Sequence, residues 1–530
     1  MFKDLKQHIP IILFLVYAGL LFDAELFTTE GVYERDGFYH ARYSQLLPER
    51  GLSRSFPWMQ FTAWADSFCD KDFLYHVFLA PFCQNSAEPL AGAKTATLVL
   101  DLFLLLLFYV VLHRLKAPWP FMWTVLLAFG SGIFLNRILM VRSHVLSISL
   151  MIMGTYAILR RRHWMCFWIA FLYAWSYSFA PALLITAFGA EAGRGVVGLK
   201  SLAFESRSLS RPWWRHLQIP MVIGLGILSG LLIHPYSPHS ISSVSSFFSI
   251  AKSGVTGFPL ELGSEFQPIG IPELLVAMPG LVGAMLAALV GVFFIWRRPT
   301  QERKFSDQSA AALGAALTWF IGAFVFSRLI EYFAPIMLLS SALIFRDLFG
   351  GKVSNILNFS MPDRRPKALG MLLLVTAFLA GCQYISFFEV RAVARSTRPS
   401  FSSHDAWRRN RYFDGAATWM NENLAAHQTV LNFHWDDFPE LFYAAPRQYY
   451  VVGLDPTFMR LSYPEHSRIL EEMRTKKRSL DFALLKRLFN TEYLIMRNFR
   501  ANQYPELKQG LMRPVYADDG AAIYSLSLDK

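Results

Sequence analysis

Four short stretches carry residue types whose spacing could do chemistry. In YERDGFYHARY, Glu34, Arg35 and Asp36 stand directly after the first apolar run, with His40 and Arg42 following on an expected helix. A carboxylate at a membrane surface is costly to desolvate unless it is paired or coordinates something, so Asp36 is a candidate for either. The simpler role is a cap on the helix starting at Gly37, since Asp is a favoured N-cap. LELGSEFQPIGIPELL sets Glu261 and Glu265 among Gly, Ser and Pro, which is turn chemistry and suits solvated acids. WDDFPELFYAAPRQYY follows an apolar strand, where Trp435, Asp436, Asp437 and Phe438 could form a ligand-binding corner or another helix cap. FSRLIEYFAP places Arg328 and Glu331 at a span boundary, as an i,i+3 ion pair or as a site for a lipid phosphate.

The elements that must position these residues are mostly apolar. Hydrophobic residues make up 54% of the 530 and charged ones 17%, with 47 Phe and 14 Trp. Soluble domains carry about 25% charge, and a secreted or disordered chain needs more charge or fewer aromatics. This is the composition of a polytopic membrane protein. Apolar runs near 9–22, 96–112, 120–136, 144–159, 217–234, 274–296, 310–326, 329–345 and 368–387 each suit a span. The run 164–190 is broken at Pro181 and reads as two short crossings, which gives about eleven spans in all.

Lys and Arg orient them. Arg114 and Lys116, Arg160 to Arg162, the stretch 191–216, Arg297 and Arg298, then Arg346 to Lys367 fall on one side, read as cytoplasmic. Segment 23–93, on the other side, carries ten acidic and five basic residues. The net charge of +12 is therefore topological, and nucleic acid is not expected as a partner. Lys3 and Lys6 put the N-terminus in the cytoplasm, ahead of a retained signal-anchor. The expected organisation is a multi-span membrane domain over 1–387, with external loops 23–93 and 235–273. An extracytoplasmic α/β domain follows over 388–530, with strands near 429–433, 448–453, 492–496 and 521–527.

No Walker-type loop, GxGxxG or HExxH is present. His234 and His239, in a Pro-interrupted stretch, make a weak metal signal. Four cysteines are too few for a disulfide scaffold, although Cys69 and Cys83 share the first external loop, where an oxidising compartment would permit a bridge.

The order of these pieces resembles the GT-C superfamily of lipid-phosphosugar-dependent glycosyltransferases, most of all the catalytic subunits of oligosaccharyltransferase. An acidic-aromatic motif follows the first span, Ser-Glu-x-Gln-Pro comes in the second half, and a Trp-Asp-aromatic corner opens the tail. The resemblance implies that Asp36 is the first-loop aspartate, ligating a divalent metal (Mg or Mn) and engaging the acceptor. It implies that Glu265, in GSEFQP, holds the acceptor beside that metal. Trp435, Asp436, Asp437 and Phe438 resemble a degenerate acceptor-reading corner, with Asp436 in place of a second Trp and Pro439 in place of Gly.

The family's second acidic motif is absent. The corresponding stretch, NRILMVRSHVLSIS, offers Arg142, Ser143 and His144. His144 could give a metal nitrogen, but Arg142 beside it suits phosphate. The implied function is transfer of a sugar or oligosaccharide from a polyprenyl-phosphate-linked donor to an extracytoplasmic protein, lipid or polysaccharide acceptor; the basic-loop pattern makes a bacterial inner membrane the default location. A metal-free version uses Asp36 as the base, with Arg328, Arg142 or Arg137 on the departing phosphate. Two other readings stand beside it: a flippase for lipid-linked sugar, with Asp101 as its in-span acid, and a non-catalytic assembly protein of the same fold.

Overall fold

The computed structural model describes residues 8–202, 213–242, 244, 268–297, 305–349, 374–388, 411–508 and 512–527. Among them, five helices are long and apolar enough to cross a membrane: Ile9–Leu26, Pro89–Arg114, Trp214–Ile233, Pro279–Arg297 and Ser327–Phe349. A sixth is made if the helices Pro120–Phe129 and Gly132–Ile138, which meet at 82°, act as one. The remaining expected runs form shorter helices, including His144–Leu159, His163–Ser176 and Leu374–Phe388. At 16 residues, His144–Leu159 reaches only about 24 Å, short of a hydrocarbon core of about 30 Å. Hydropathy thus located the helices, whereas their lengths depend on turns it does not register.

The expected break in 164–190 is real. His163–Ser176 ends where Tyr177 turns extended, and Pro181 opens the helix Pro181–Leu202, where its missing N–H is harmless. The 82° bend also has a local cause. The Ser131 side chain accepts from the Phe134 amide and starts the second helix, while Gly130 O accepts from the Gly280 amide at 3.0 Å. A Cβ on Gly280 would come within 2.6 Å of Gly130 Cα, so the two backbones meet only because residue 280 is glycine. This contact places Arg137, near the end of the short helix.

The tail forms a five-stranded sheet in the order β2-β1-β3-β5-β4. The strands are β1 (Thr429–Asn432), β2 (Tyr449–Tyr450), β3 (Tyr493–Arg497), β4 (Pro514–Ala517) and β5 (Ala521–Ser525). β1 pairs in parallel with β2 and β3, and β5 pairs antiparallel with β3 and β4. The Asp518 carboxylate accepts from the Gly520 and Ala521 amides, closing the β4–β5 hairpin.

The first loop is built into this tail. Trp58 O accepts from the Tyr450 amide at 2.9 Å, and the Gln60 amide donates to Tyr450 O at 2.9 Å, so residues 58–60 extend the sheet beside β2. Tyr39, Tyr43, Phe56, Trp58 and Phe68 share one buried aromatic core with Phe438, Phe442 and Tyr450. Cys69 and Cys83 are both buried free thiols, so the permitted bridge is not made.

Candidate functional site

The helix Asp36–Arg50 carries the first-loop motif and ends at Gly51, whose φ of 63° is the left-handed conformation that favours glycine. Its middle is buried through Phe38, Tyr39, His40, Ala41, Tyr43 and Ser44, and Tyr39 stacks on Tyr43. Asp36 is not this helix's cap. It is the first helical residue, Arg35 precedes it as the N-cap without a side-chain cap, and Glu34 Oε2 accepts from the Asp36 amide at 3.1 Å.

The Asp36 carboxylate is directed elsewhere. Its Oδ2 accepts from Arg142 Nη2 at 2.7 Å, and Arg142 Nε lies 3.5 Å from Glu34 Oε2. All three side chains keep a fifth to a quarter of their surface exposed, so this cluster is reachable by a ligand. The arginine where the resemblance expected a second acidic motif is thus the partner of the first-loop aspartate.

Behind this pair lies a more deeply buried one. Arg137 Nη2 donates to Glu331 Oε2 at 2.9 Å, with both side chains almost sealed. Glu331 therefore reaches across to Arg137, while Arg328 Nη2 donates to the Tyr177 hydroxyl. Arg137, Arg142, Arg328 and Glu331 all act electrostatically on Tyr177, so the three predicted phosphate arginines gather around one ring. His144, at the start of its helix, has its Nε2 at 2.6 Å from the Arg137 carbonyl, and its Nδ1 is buried without a partner.

A second buried chain was not expected. Asp70 Oδ1 and Oδ2 lie 2.8 and 2.9 Å from His76 Nδ1, and His76 Nε2 lies 2.8 Å from His40 Nδ1. Next to it, Ser143 Oγ donates to Asp72 Oδ1 at 2.7 Å, tying this loop to the Arg142 segment. Burial, then His76 and Arg142, hold the His40 imidazole well below its usual range, so it is neutral at pH 7. The spacing of Asp36 and His40, one helical turn, was the signal in the sequence for His40. Nothing local marked Asp70 or His76.

The tail corner is closed by arginines. Asp436 takes both Arg500 nitrogens, at 2.8 and 2.7 Å, and Asp437 pairs with Arg497 and with Arg500. Phe438 stacks on Phe442 with centroids 5.6 Å apart, and Trp435 packs half-buried against the sheet's second core. Arg35 joins this corner to the first loop: it pairs with Glu440, and Asp436 and Asp437 also act on its charge. A cavity of about 380 Å³ between Arg42, Glu88, Arg411, Asp414 and Tyr443 adjoins these contacts, but Asp36 does not line it.

Glu265, with its Ser-Glu-x-Gln-Pro loop, lies outside the described residues. Asp36 and His144 do not fit a divalent ion as a ligand pair. A guanidinium already sits on Asp36 Oδ2, and Arg137, Arg142 and Arg328 all act on the His144 ring, an electropositive setting that opposes a cation. Among the described residues no three His, Cys, Asp or Glu side chains are grouped to hold a metal. His234 turns its Nδ1 to the Tyr236 amide. Asp101 is fully buried in the Pro89–Arg114 helix, with neither oxygen hydrogen-bonded.

Neither a protein-family model nor a curated protein sequence matches the chain. Solved structures do. The oligosaccharyltransferase of Archaeoglobus fulgidus, crystallised with a tethered acceptor peptide containing the NVT sequon, superposes with a TM-score of 0.57 at 15% identity, over 99% of this chain and 74% of that one. The archaeal oligosaccharyltransferase AglB from the same organism, with an inhibitory peptide and a dolichol-phosphate, gives 0.57 at 14%, over 93% and 70%. ArnT from Cupriavidus metallidurans, bound to undecaprenyl phosphate, gives 0.56 at 13%, over 98% of both chains. These neighbours are GT-C glycosyltransferases, and the chain shares their fold.

Proposed function

We propose that this protein is a membrane glycosyltransferase that moves a sugar from a polyprenyl-phosphate-linked donor to an extracytoplasmic acceptor, without a metal. The observation that carries the reading is the Asp36–Arg142 pair, half-buried, with Arg328 and Arg137 gathered behind it. Arg142 and Arg328 keep some exposure and would clamp the departing phosphate. Arg137, sealed against Glu331, contributes fixed positive charge rather than a contact. Such preorganised charge is effective because it needs no reorganisation as the phosphate departs. Asp36 would receive the acceptor's polar hydrogen while it releases Arg142 to the phosphate. Glu265 and the corner Trp435–Phe438 remain the candidates for holding the acceptor, the corner acting through the Arg35–Glu440 link.

Fold supports the donor class: ArnT of nearly equal length binds undecaprenyl phosphate, and an archaeal oligosaccharyltransferase binds dolichol-phosphate. The test is to incubate the purified full-length chain with radiolabelled polyprenyl-phosphate sugars and measure the lipid phosphate released. Release by the wild type, lost in Asp36→Asn at equal abundance, supports the reading. Movement of intact donor across a vesicle, with no bond broken, would support the flippase instead.

A further inference from the structure

We infer that Asp455, in the turn after β2, and Lys71, in the first external loop, form a subsite that holds a hydroxyl of the transferred sugar beside Asp36; this rests on the glycosyltransferase reading above. The turn Gly453–Leu454–Asp455 is fixed from several sides. A Cβ on Gly453 would strike Phe438 and Met59. Leu454 takes a φ of 60°, a strained conformation for a residue with a side chain, and such strain is kept where the surroundings impose it. The Asp455 amide folds back on the Gly453 carbonyl at 2.6 Å. Just downstream, the Phe458 ring stacks on Trp64 with centroids 4.5 Å apart, and the Ala63 amide donates to the Phe458 carbonyl at 3.2 Å. Trp64 packs in turn on Tyr39, three residues after Asp36 on the Asp36–Arg50 helix. These contacts bring a turn of the tail to the first-loop motif, and Asp36 acts on the charge of Asp455.

The Asp455 carboxylate is only half used. Its Oδ1 accepts from the Thr457 amide at 2.7 Å and caps the helix Pro456–Ser462. Among the described residues no hydrogen bond engages Oδ2, which is not sealed from solvent. Burial raises this carboxyl from its usual range, with Thr457 and Lys71 opposing and Asp36 adding to the rise. A carboxylate so placed is short of donors, and an O–H at Oδ2 would favour its charged form.

Lys71 supplies the other half. Its Nζ lies 3.4 Å from Asp72 Oδ2, and Asp72 Oδ1 accepts from Ser143 Oγ, next to Arg142. That anchors the lysine beside the segment of the phosphate arginines, with a third of its side chain exposed. Lys71 acts on the charge of Asp455, yet among the described residues no ion pair joins the two. They are near enough to feel each other and too far apart to close the gap. A sugar hydroxyl suits that gap because it donates and accepts at once: its hydrogen to Asp455 Oδ2, its oxygen from Lys71 Nζ. In the proposed reaction the lipid phosphate lies at Arg142 and Arg328, so the sugar must reach from there to Asp36. Asp455 is within electrostatic reach of that aspartate, and Lys71 of His40, one helical turn further on. Both are specificity-determining residues and exchange no proton.

The test uses the full-length protein in nanodiscs, with polyprenyl-phosphate hexoses and their monodeoxy forms as donors, and reads the lipid phosphate released. With at least one deoxy donor the wild type should lose about 10–10²-fold in kcat/KM, as for a hydrogen bond to a charged group. Asp455→Asn keeps an oxygen for the Thr457 amide, and Asn caps a helix as well as Asp does, so Tm should not move. This variant should lose about the same factor with the complete donor and become indifferent to that one deoxy position. Lys71→Met should show the same indifference at the same position. A merely structural role for Asp455 would lower all donors alike and leave the deoxy penalty in place. That outcome, or wild-type kcat/KM in Asp455→Asn, would overturn the subsite while leaving the enzyme reading intact. No release of lipid phosphate by the wild type from any donor would overturn the enzyme reading, and the subsite with it.

Discussion

Arg142 Nη2 lies 2.7 Å from Asp36 Oδ2, across 106 residues of sequence, and joins the first loop to the segment between two membrane helices. A carboxylate and a guanidinium at this distance form a strong charge-assisted bond. Exposure near one fifth leaves that bond open to competition from a phosphate or a polar acceptor.

Arg142→Lys is therefore not a mild change. Lysine keeps the charge but loses the planar fork that can hold Asp36 and a phosphate together. Donor KM should rise by about tenfold, as for a lost charged hydrogen bond of about 1.5 kcal/mol, while protein abundance stays normal. Steady-state kinetics with varied donor checks this.

Arg137 and Glu331 should behave differently. They form a sealed pair, and removing one partner strands a buried charge. Glu331→Ala should cost about 3–5 kcal/mol of stability, whereas Asp36→Ala, at a pair open to solvent, should cost about 1 kcal/mol or less. Thermal unfolding of the two variants in one detergent compares them directly.

The bend that places Arg137 depends on Gly130 and Gly280. Gly280→Ala would push a Cβ to 2.6 Å from Gly130 Cα, so the two backbones must part. The expected result is a lower Tm together with reduced transfer, since Arg137 and the His144 contact shift with the bend. Gly283→Ala, whose Cβ would meet only the end of Phe378 at 3.5 Å, is the control and should change neither.

These contacts divide what was legible in the sequence from what was not. Apolar runs are local, so the helices appeared in their expected order, and Pro181 marked its own break. Four of the five strands also announced themselves, but β4 is short and mostly exposed, and PVYA offers no alternation to read. The candidate residues were found by type, yet their partners were not. Asp36 looked like a helix cap and Arg328 like the partner of Glu331, because sequence shows only near neighbours. Glu331 is actually held by Arg137, 194 residues away, and the Asp70–His76–His40 chain joins two helices across a loop.

The tail should be sensitive to acid. Burial pushes the Asp436 carboxyl up, but Arg497 and Arg500 outweigh it and hold it below the usual range. A carboxyl lowered in the folded state contributes stability that is present above its unfolded pKa of about 3.9 and lost as pH falls through the folded one. Tm should thus drop below about pH 4, and the drop should be smaller in Asp436→Asn, whose plateau at pH 7 is already lower. Scanning Tm from pH 7 to pH 3 in both proteins measures it.

The most direct test of the account is release of polyprenyl phosphate from a labelled donor, run with chelator, with added magnesium or manganese, and with neither. The arrangement of Asp36, Arg142, Arg328 and Arg137 predicts equal release in all three by the wild type, and loss by about 10²–10⁴-fold in Asp36→Asn. Release that appears only with a divalent metal, or that survives in Asp36→Asn, would contradict it.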